Sequence, residues 1–414
     1  MRRSVKPQQS DVGYGLPESS FNFHEALRRG FAAAPDTRVY SLIGRPLHPS
    51  LHEGLFWPAA TEKVNLALTV HHVSVLNVRI RVIKQLWVGL SFFFRVIRWR
   101  SITSRSSRRV LVIDAAFVSA LPWVSLALVG SGVQKTGIFA DVYSYMGNVS
   151  DARGPADFLR AVARRFIAAS YARLDGFILL TKHMNDVVNP HKRPSMIMEG
   201  MVGSPVDGDS VTEKFKAPTI VYAGALRAEY GLDDLLSGFI DLGDDQAELL
   251  VFGAGPFERD ILEASHENPR IKFGGRIPVE MVMTMQRKAW ILANTRRVDD
   301  EFTKYSFPSK LLSYMASGTA VVTTRLPGMP SEYDDFVYLI DRPGSQGVTD
   351  SLRDLLGRPL AELNARGADA ARFIAEHKNN KIQTQRILDF AQQLPTHATR
   401  RRIFPASTKT ITDK

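Results

Sequence analysis

The stretch Thr219-Ile220-Val221-Tyr222-Ala223-Gly224-Ala225-Leu226-Arg227-Ala228-Glu229-Tyr230-Gly231-Leu232 decides the fold. An apolar run of strand length stops at a glycine, and a helical pattern begins a few residues later, which is the signature of a strand-to-helix crossover in a parallel sheet. Small residues at the turn let the backbone approach a ligand. The following helix presents free N–H groups, and Arg227 can fork onto phosphate oxygens. Working outward, the same unit recurs at 248–252, 270–273, 290–294, 320–323 and 337–340. Upstream, strand-like runs at 38–43, 66–71, 110–114, 136–139, 176–180 and 195–199 alternate with helical patterns such as 23–33 and 156–172. The whole chain therefore reads as α/β, with doubly wound parallel sheets rather than a sandwich.

With 414 residues the chain exceeds what one hydrophobic core usually supports, so two domains are expected. A stretch rich in glycine and proline at 203–218 reads as the linker. The expected layout is a Rossmann-like domain over 1–205, a second over 206–380, a crossover helix at 381–395 that returns toward the first domain, and a basic disordered tail at 396–414. Ligands in such sheets bind at the carboxyl ends of the strands, which points to the cleft between the domains. In the first domain the helix at 23–33 precedes any convincing strand. Composition is that of an ordinary globular protein, 44% hydrophobic and 23% charged. The absence of cysteine excludes disulfides, thiolate metal sites and a cysteine nucleophile. The amino terminus is basic but lacks an apolar core, so it does not read as a secretory signal, and the uncharged run 115–134 reads as loop plus buried helix because serines, glycines and a proline interrupt it.

Further turns carry the same chemistry. Gly253-Ala254-Gly255-Pro256 closes the second strand of the later series, and Gly274-Gly275-Arg276-Ile277-Pro278 follows the third. The most specific element runs from Phe302 through Tyr305-Ser306-Phe307-Pro308-Ser309-Lys310 to Met315-Ala316-Ser317-Gly318. Ser306 or Ser309 is expected to cap its helix, and Gly318 to end it. Lys310 sits in the first turn, where a cation opposes the helix dipole unless an anion binds there.

Taken in order, the Tyr222–Gly231 turn, the Gly253–Pro256 turn, the Phe307–Gly318 helix and the Gly328–Glu332 loop make the second half resemble the family-4 retaining glycosyltransferases of GT-B fold. The resemblance implies two Rossmann-like domains facing a central cleft and a nucleotide-sugar donor, UDP- or GDP-linked, with no further cofactor and no metal. It implies that Gly224, Arg227 and Lys310 face the donor diphosphate and that Gly253, Gly255 and Ile277 shape the nucleotide pocket. Ser306, Phe307 and Ser309 would offer backbone or hydroxyl contacts to phosphate and sugar. Two glutamates with seven residues between them, common in the family, are Tyr305 and Ser313 here, and the family's lysine on the first turn is Tyr230.

In the first half, Asp141 follows a strand end and is the expected acceptor-side group. Asp175, Thr181 and Lys182 are expected to line the pocket, and His71 and His72 to be structural. The net charge of +11 implies an anionic partner, and it is concentrated: ten cations and no acid lie between Glu62 and Asp114. Within that gap, residues 78–100 place Ile83, Leu86, Trp87, Leu90, Phe93, Phe94 and Ile97 at helical spacing, with Lys84, Ser91, Arg95 and Arg98 on another face. Two readings stand, a helix lying on an anionic membrane surface and an amphipathic helix packed on the sheet. No nucleic-acid recognition motif accompanies the charge. The expected protein is a cytoplasmic transferase, peripheral at the inner face of the plasma membrane, acting on a lipid-linked or polysaccharide acceptor. A degenerate scaffolding subunit and a sugar-nucleotide epimerase are the alternatives.

Overall fold

A computed structural model describes residues 18–44, 55–78, 80–104, 106–115, 117–140, 165–203, 213–298 and 301–395, without the side chains of 18–21, 81, 301 and 302. Asp141, the middle of the expected linker and the tail after 395 lie outside the described residues. The chain forms two compact units. The first holds the described residues up to Leu179, then Met184–Met198 and the chain from Thr384; the second holds Leu180–His183 and Glu199–Gln383.

The first unit opens with the helix Glu18–Ala33. A three-stranded sheet follows, in which β1 (Val39–Ile43) pairs parallel with β4 (Leu68–His72), and β3 (Ala60–Lys63) pairs antiparallel on the other side of β4. A short antiparallel ribbon joins β2 (Phe56–Trp57) to β5 (Val75–Leu76). The antiparallel pieces depart from the all-parallel expectation. Their cause is legible, since β3 is fully exposed and its Ala-Thr-Glu-Lys sequence carries no apolar run. After the helix Arg81–Ile102, a parallel sheet takes the order β6 (Val110–Asp114), β7 (Gln134–Phe139), β8 (Gly176–Leu179) and β9 (Ser195–Ile197). Between β6 and β7 the expected buried helix is Leu121–Ala127.

β7 is buried along its whole length even though it begins Gln134-Lys135-Thr136. Gln134 and Lys135 are paired: the Gln134 amide donates to the Leu394 carbonyl at 3.0 Å, and Lys135 Nζ lies 3.3 Å from a carboxylate oxygen of Asp175, which also accepts the Lys135 backbone N–H at 2.8 Å. Asp175 therefore holds the amino-terminal ends of β7 and β8 together. The last helix, Asn380–Gln393, returns to this unit. Gly176 leaves the space that the side chains of Phe390 and Leu394 fill, and Arg108 donates to the carbonyls of Ala391 and Gln392 at 2.8 Å each.

In the second unit six parallel strands, β10 (Thr219–Ala223), β11 (Glu248–Phe252), β12 (Ile271–Gly275), β13 (Ile291–Asn294), β14 (Ala320–Thr324) and β15 (Tyr338–Ile340), lie in the order β12-β11-β10-β13-β14-β15. Both faces are covered. Ile220 and Tyr222 enter one buried cluster with Leu249, Val251, Ile291 and Phe239, while Val221 and Ala223 enter another with Leu292, Leu311, Met315 and Phe373. Alternate residues of a strand feed opposite layers, so a strand covered twice must be apolar throughout, which is why β10 reads as an uninterrupted run. The order places the first strand beside the fourth. That reversal opens the crevice at the carboxyl ends of β10 and β13 where doubly wound sheets take their ligands.

Candidate functional site

Three segments meet at that switch point: the turn after β10, the residues after β13, and the start of the helix Ser309–Ala316. Gly224 adopts φ 150°, and a Cβ built on it would stand 2.1 Å from Lys310 Cε, so the missing side chain is the space that the lysine stem occupies. Lys310 Nζ lies 3.8 Å from the centre of the Tyr222 ring and 5.5 Å from that of Tyr230, and donates to the Tyr222 hydroxyl. Tyr222 in turn donates to the Ala225 carbonyl at 2.9 Å. The helix is fastened to β10 by Tyr314, whose hydroxyl accepts from the Ala223 N–H at 2.8 Å and lies 3.1 Å from the Ala223 carbonyl.

Arg296, immediately past β13, places its guanidinium 4.9 Å from the centre of the Tyr230 ring. Burial, and secondarily the charge of Arg296, lower the Lys310 ammonium to a pKa of about 7. Burial also raises the Tyr222 phenol well above its ordinary value, so it stays protonated. Lys310 and Arg296 thus stand against the same Tyr230 ring. The adjoining Arg297 is ion-paired with Asp233 and, at 3.0 Å, with Asp234.

The loops around the site are cross-tied by backbone. Thr295 donates to the Gly231 carbonyl at 2.7 Å, and a Cβ at Gly231 would stand 1.8 Å from the Thr295 carbonyl oxygen. Gly253 and Gly255 have the same explanation: Cβ atoms there would lie 1.8 Å from the Gly224 oxygen and 2.2 Å from the Leu226 oxygen. The Gly224 N–H donates to Phe252 at 2.9 Å and that of Leu226 to Ala254 at 3.0 Å. Both glycines are required by the close approach of the two turns.

Other residues fall as follows. Arg227 is half exposed, with Glu229 at 4.0 Å as its ion partner, and the guanidinium acting on Lys310 is that of Arg296. Ile277 turns inward and packs against the core. The helix has Pro308 as its N-cap and no side-chain cap, which corrects the expectation of Ser306 or Ser309 in that role. A proline at this position fixes the entry angle and offers no side-chain acceptor to the first-turn N–H groups, of which that of Leu311 donates to the Pro308 carbonyl at 2.9 Å. The Ser306 hydroxyl is buried with no hydrogen-bond partner among the described residues, Phe307 is buried against Tyr333, and Ser309 is exposed. Ser313 is exposed one turn after Lys310 and donates to the Lys310 carbonyl at 2.8 Å. Thr181 donates to Lys304 at 2.8 Å and abuts Gly328, so it braces the loop that leads into the helix.

Residues 217–358, about a third of the chain, match the family described as glycosyl transferases group 1. That stretch is similar to the glycosyl transferases group 1. No curated protein matches the chain by sequence. Solved structures resemble it along most of its length. Sucrose-phosphate synthase of Thermosynechococcus elongatus is similar with a TM-score of 0.55 at 13% identity, over 80% of this chain and 85% of that one. The HepE protein of Anabaena in complex with UDP gives 0.55 at 12%, over 78% and 86%. An E. coli trehalose-6-phosphate protein bound with UDP-2-fluoro glucose gives 0.58 at 9%, over 96% and 98%. The α/β fold with parallel sheets is that of the GT-B glycosyltransferases. In the second unit the switch point brings Gly224 and Lys310 together with Arg296, a residue that the sequence reading did not single out.

Proposed function

We propose that this protein transfers a sugar from a nucleoside-diphosphate donor, UDP- or GDP-linked, to a lipid-linked or polysaccharide acceptor at the cytoplasmic face of the plasma membrane. The observation that carries the reading is the pairing of Lys310 and Arg296 against Gly224 and Tyr230 at the carboxyl edge of the sheet. As the anomeric C–O bond breaks, the diphosphate leaves with the electron pair. Two cations held in place beforehand stabilise that charge without reorganising. The acceptor oxygen bonds to the anomeric carbon and gives up its proton, a task for which Asp141 is the candidate. Retention of configuration rests on the resemblance to the family-4 enzymes. Arg227, half exposed on the same turn, is within the segment that would meet the donor. The orphan Ser306 hydroxyl and the backbone at Phe307 and Ser309 are further candidates for phosphate or sugar contacts.

The replacement of both family glutamates, by Tyr305 and Ser313, favours a second reading, a binding or scaffolding subunit. Calorimetry with UDP and GDP, followed by product analysis with several UDP- and GDP-sugars, separates the readings. Binding that weakens at least about tenfold in Lys310→Met, with donor hydrolysis or transfer, supports the transferase. Binding without turnover supports the scaffold, and conversion to an epimeric donor supports an epimerase. Absence of any nucleoside-diphosphate binding overturns the reading.

A further inference from the structure

The helix Arg81–Ile102 has two apolar faces, and the fold uses one of them. Val88, Phe92 and Val96 are buried. Gly89 lies against the Trp123 indole, where a Cβ would stand 2.2 Å from ring atoms, and the Phe92 ring meets that of Phe117 at 5.1 Å. On the opposite face Ile83, Leu86, Trp87, Leu90, Phe94 and Ile97 are exposed, Phe94 by 66%. At helical periodicity these six fall within an arc of about 100°, centred opposite Phe92. Phe56 stands edge-on to Trp87 at 5.9 Å and is itself 48% exposed, so the patch continues onto the β2 and β5 ribbon. The six helix side chains leave on the order of 500 Å² in water, toward the top of what a soluble monomer normally exposes.

The charge around this patch selects among occupants. Lys84, Arg95 and Arg98 run along one flank of the stripe, and no acidic residue occurs between Glu62 and Asp114. A second copy of the same face would bring like charges together. An anionic lipid surface meets both demands, since apolar side chains enter the boundary between headgroups and acyl chains while the basic flank meets lipid phosphates. A tryptophan in the stripe suits that boundary. Among the described residues no helix is long and apolar enough to cross a membrane, so the contact lies in the plane of the surface. We propose that the helix Arg81–Ile102, with Phe56 beside it, docks the protein on an anionic lipid bilayer.

The proposal is independent of the donor reading, because its test needs no nucleotide. The full chain is sedimented with vesicles of phosphatidylglycerol mixed into phosphatidylcholine, and with vesicles of phosphatidylcholine alone. Binding to the mixed vesicles is expected, at least about tenfold tighter than to the neutral ones and weakened by salt. Leu90→Glu/Phe94→Glu should reduce it at least about tenfold, and Ile83→Gln/Ile97→Gln disrupts the same face by milder means. Arg95→Gln/Arg98→Gln should lower the preference for anionic lipid. All three pairs are at exposed or partly exposed positions, so thermal unfolding should stay close to that of the parent. Failure to bind the mixed vesicles overturns the proposal, as does equal binding to both kinds. So does a Leu90→Glu/Phe94→Glu protein that binds vesicles unchanged but loses a dimer seen by light scattering, which would assign the face to a second copy.

Discussion

Raising the pH should weaken nucleoside-diphosphate binding through one residue. In the free protein Lys310 has a pKa of about 7, lowered by burial and by Arg296. A bound diphosphate favours the ammonium form and so raises that value toward the ordinary range near 10.4. Binding above pH 7 therefore takes up a proton, and affinity falls as the pH climbs through the free-protein value. Lys310 is half protonated at pH 7 and about 1% protonated at pH 9, so the Kd should rise about 50-fold over that interval, or about 2.3 kcal/mol. The window matters, because a terminal phosphate with a pKa near 6 is already ionised throughout it. Calorimetry with UDP and GDP at pH 7, 8 and 9 gives the Kd, and repeating it in buffers of different ionisation enthalpy counts the protons. Lys310→Met should bind weakly with no such slope. A wild-type Kd that moves less than about threefold, or a Lys310→Met protein with the same slope, refutes the role assigned to this lysine.

Arg296→Met should cost about tenfold in nucleoside-diphosphate affinity, the worth of one charge-assisted hydrogen bond, and should move the midpoint of the pH dependence upward because a cation beside Lys310 is gone. Without ligand, a lysine whose folded pKa is depressed destabilises most at low pH. The urea-measured stability of the parent should therefore rise from pH 7 to pH 9 by on the order of 2 kcal/mol relative to Lys310→Met. Lys378→Met should lower stability by about 3–5 kcal/mol, since Lys378 Nζ lies 3.0 Å from the buried Glu199 carboxylate, which would lose its counter-charge; Glu332→Gln, whose side chain is 48% exposed, should cost less than about 1 kcal/mol in the same urea assay. Gly253→Ala should lower the urea midpoint and weaken nucleoside-diphosphate binding together, because its Cβ would strike the Gly224 carbonyl.

The strands of the second unit were legible because each is covered on both faces and so had to be apolar along its length. β3 and the β2 and β5 ribbon were not, since β3 is exposed throughout and strands of two residues are too short to show a pattern. Lys310 could be found from its place in the first turn of a helix, where its charge opposes the dipole. Arg296 could not, because nothing in the sequence around it distinguishes it from Arg297, which ends in an ion pair with Asp233 and Asp234. The cap expected from Ser306 or Ser309 failed for a related reason. Serine is a good cap in isolation, but Pro308 takes the position and the serine hydroxyls are left for other partners.

The helix Arg81–Ile102 divides the two kinds of information most clearly. Its periodicity was readable, yet the same stripe serves equally to pack on a sheet or to face a membrane. Phe92 is buried and Phe94 exposed, so the fold packs on the other face of the helix, where Phe117 and Trp123 stand. By itself, then, the sequence determined what is local and repeated: the alternation of strand and helix, the glycine turns, the helix start at Pro308-Ser309-Lys310 and the concentration of charge. The tertiary structure decided the strand order that sets β10 beside β13 and thereby brings Arg296, 72 positions after Gly224, to the same end of the sheet. Such pairings follow from how covered sheets stack and reverse, a property of the whole fold that no window of neighbouring residues encodes.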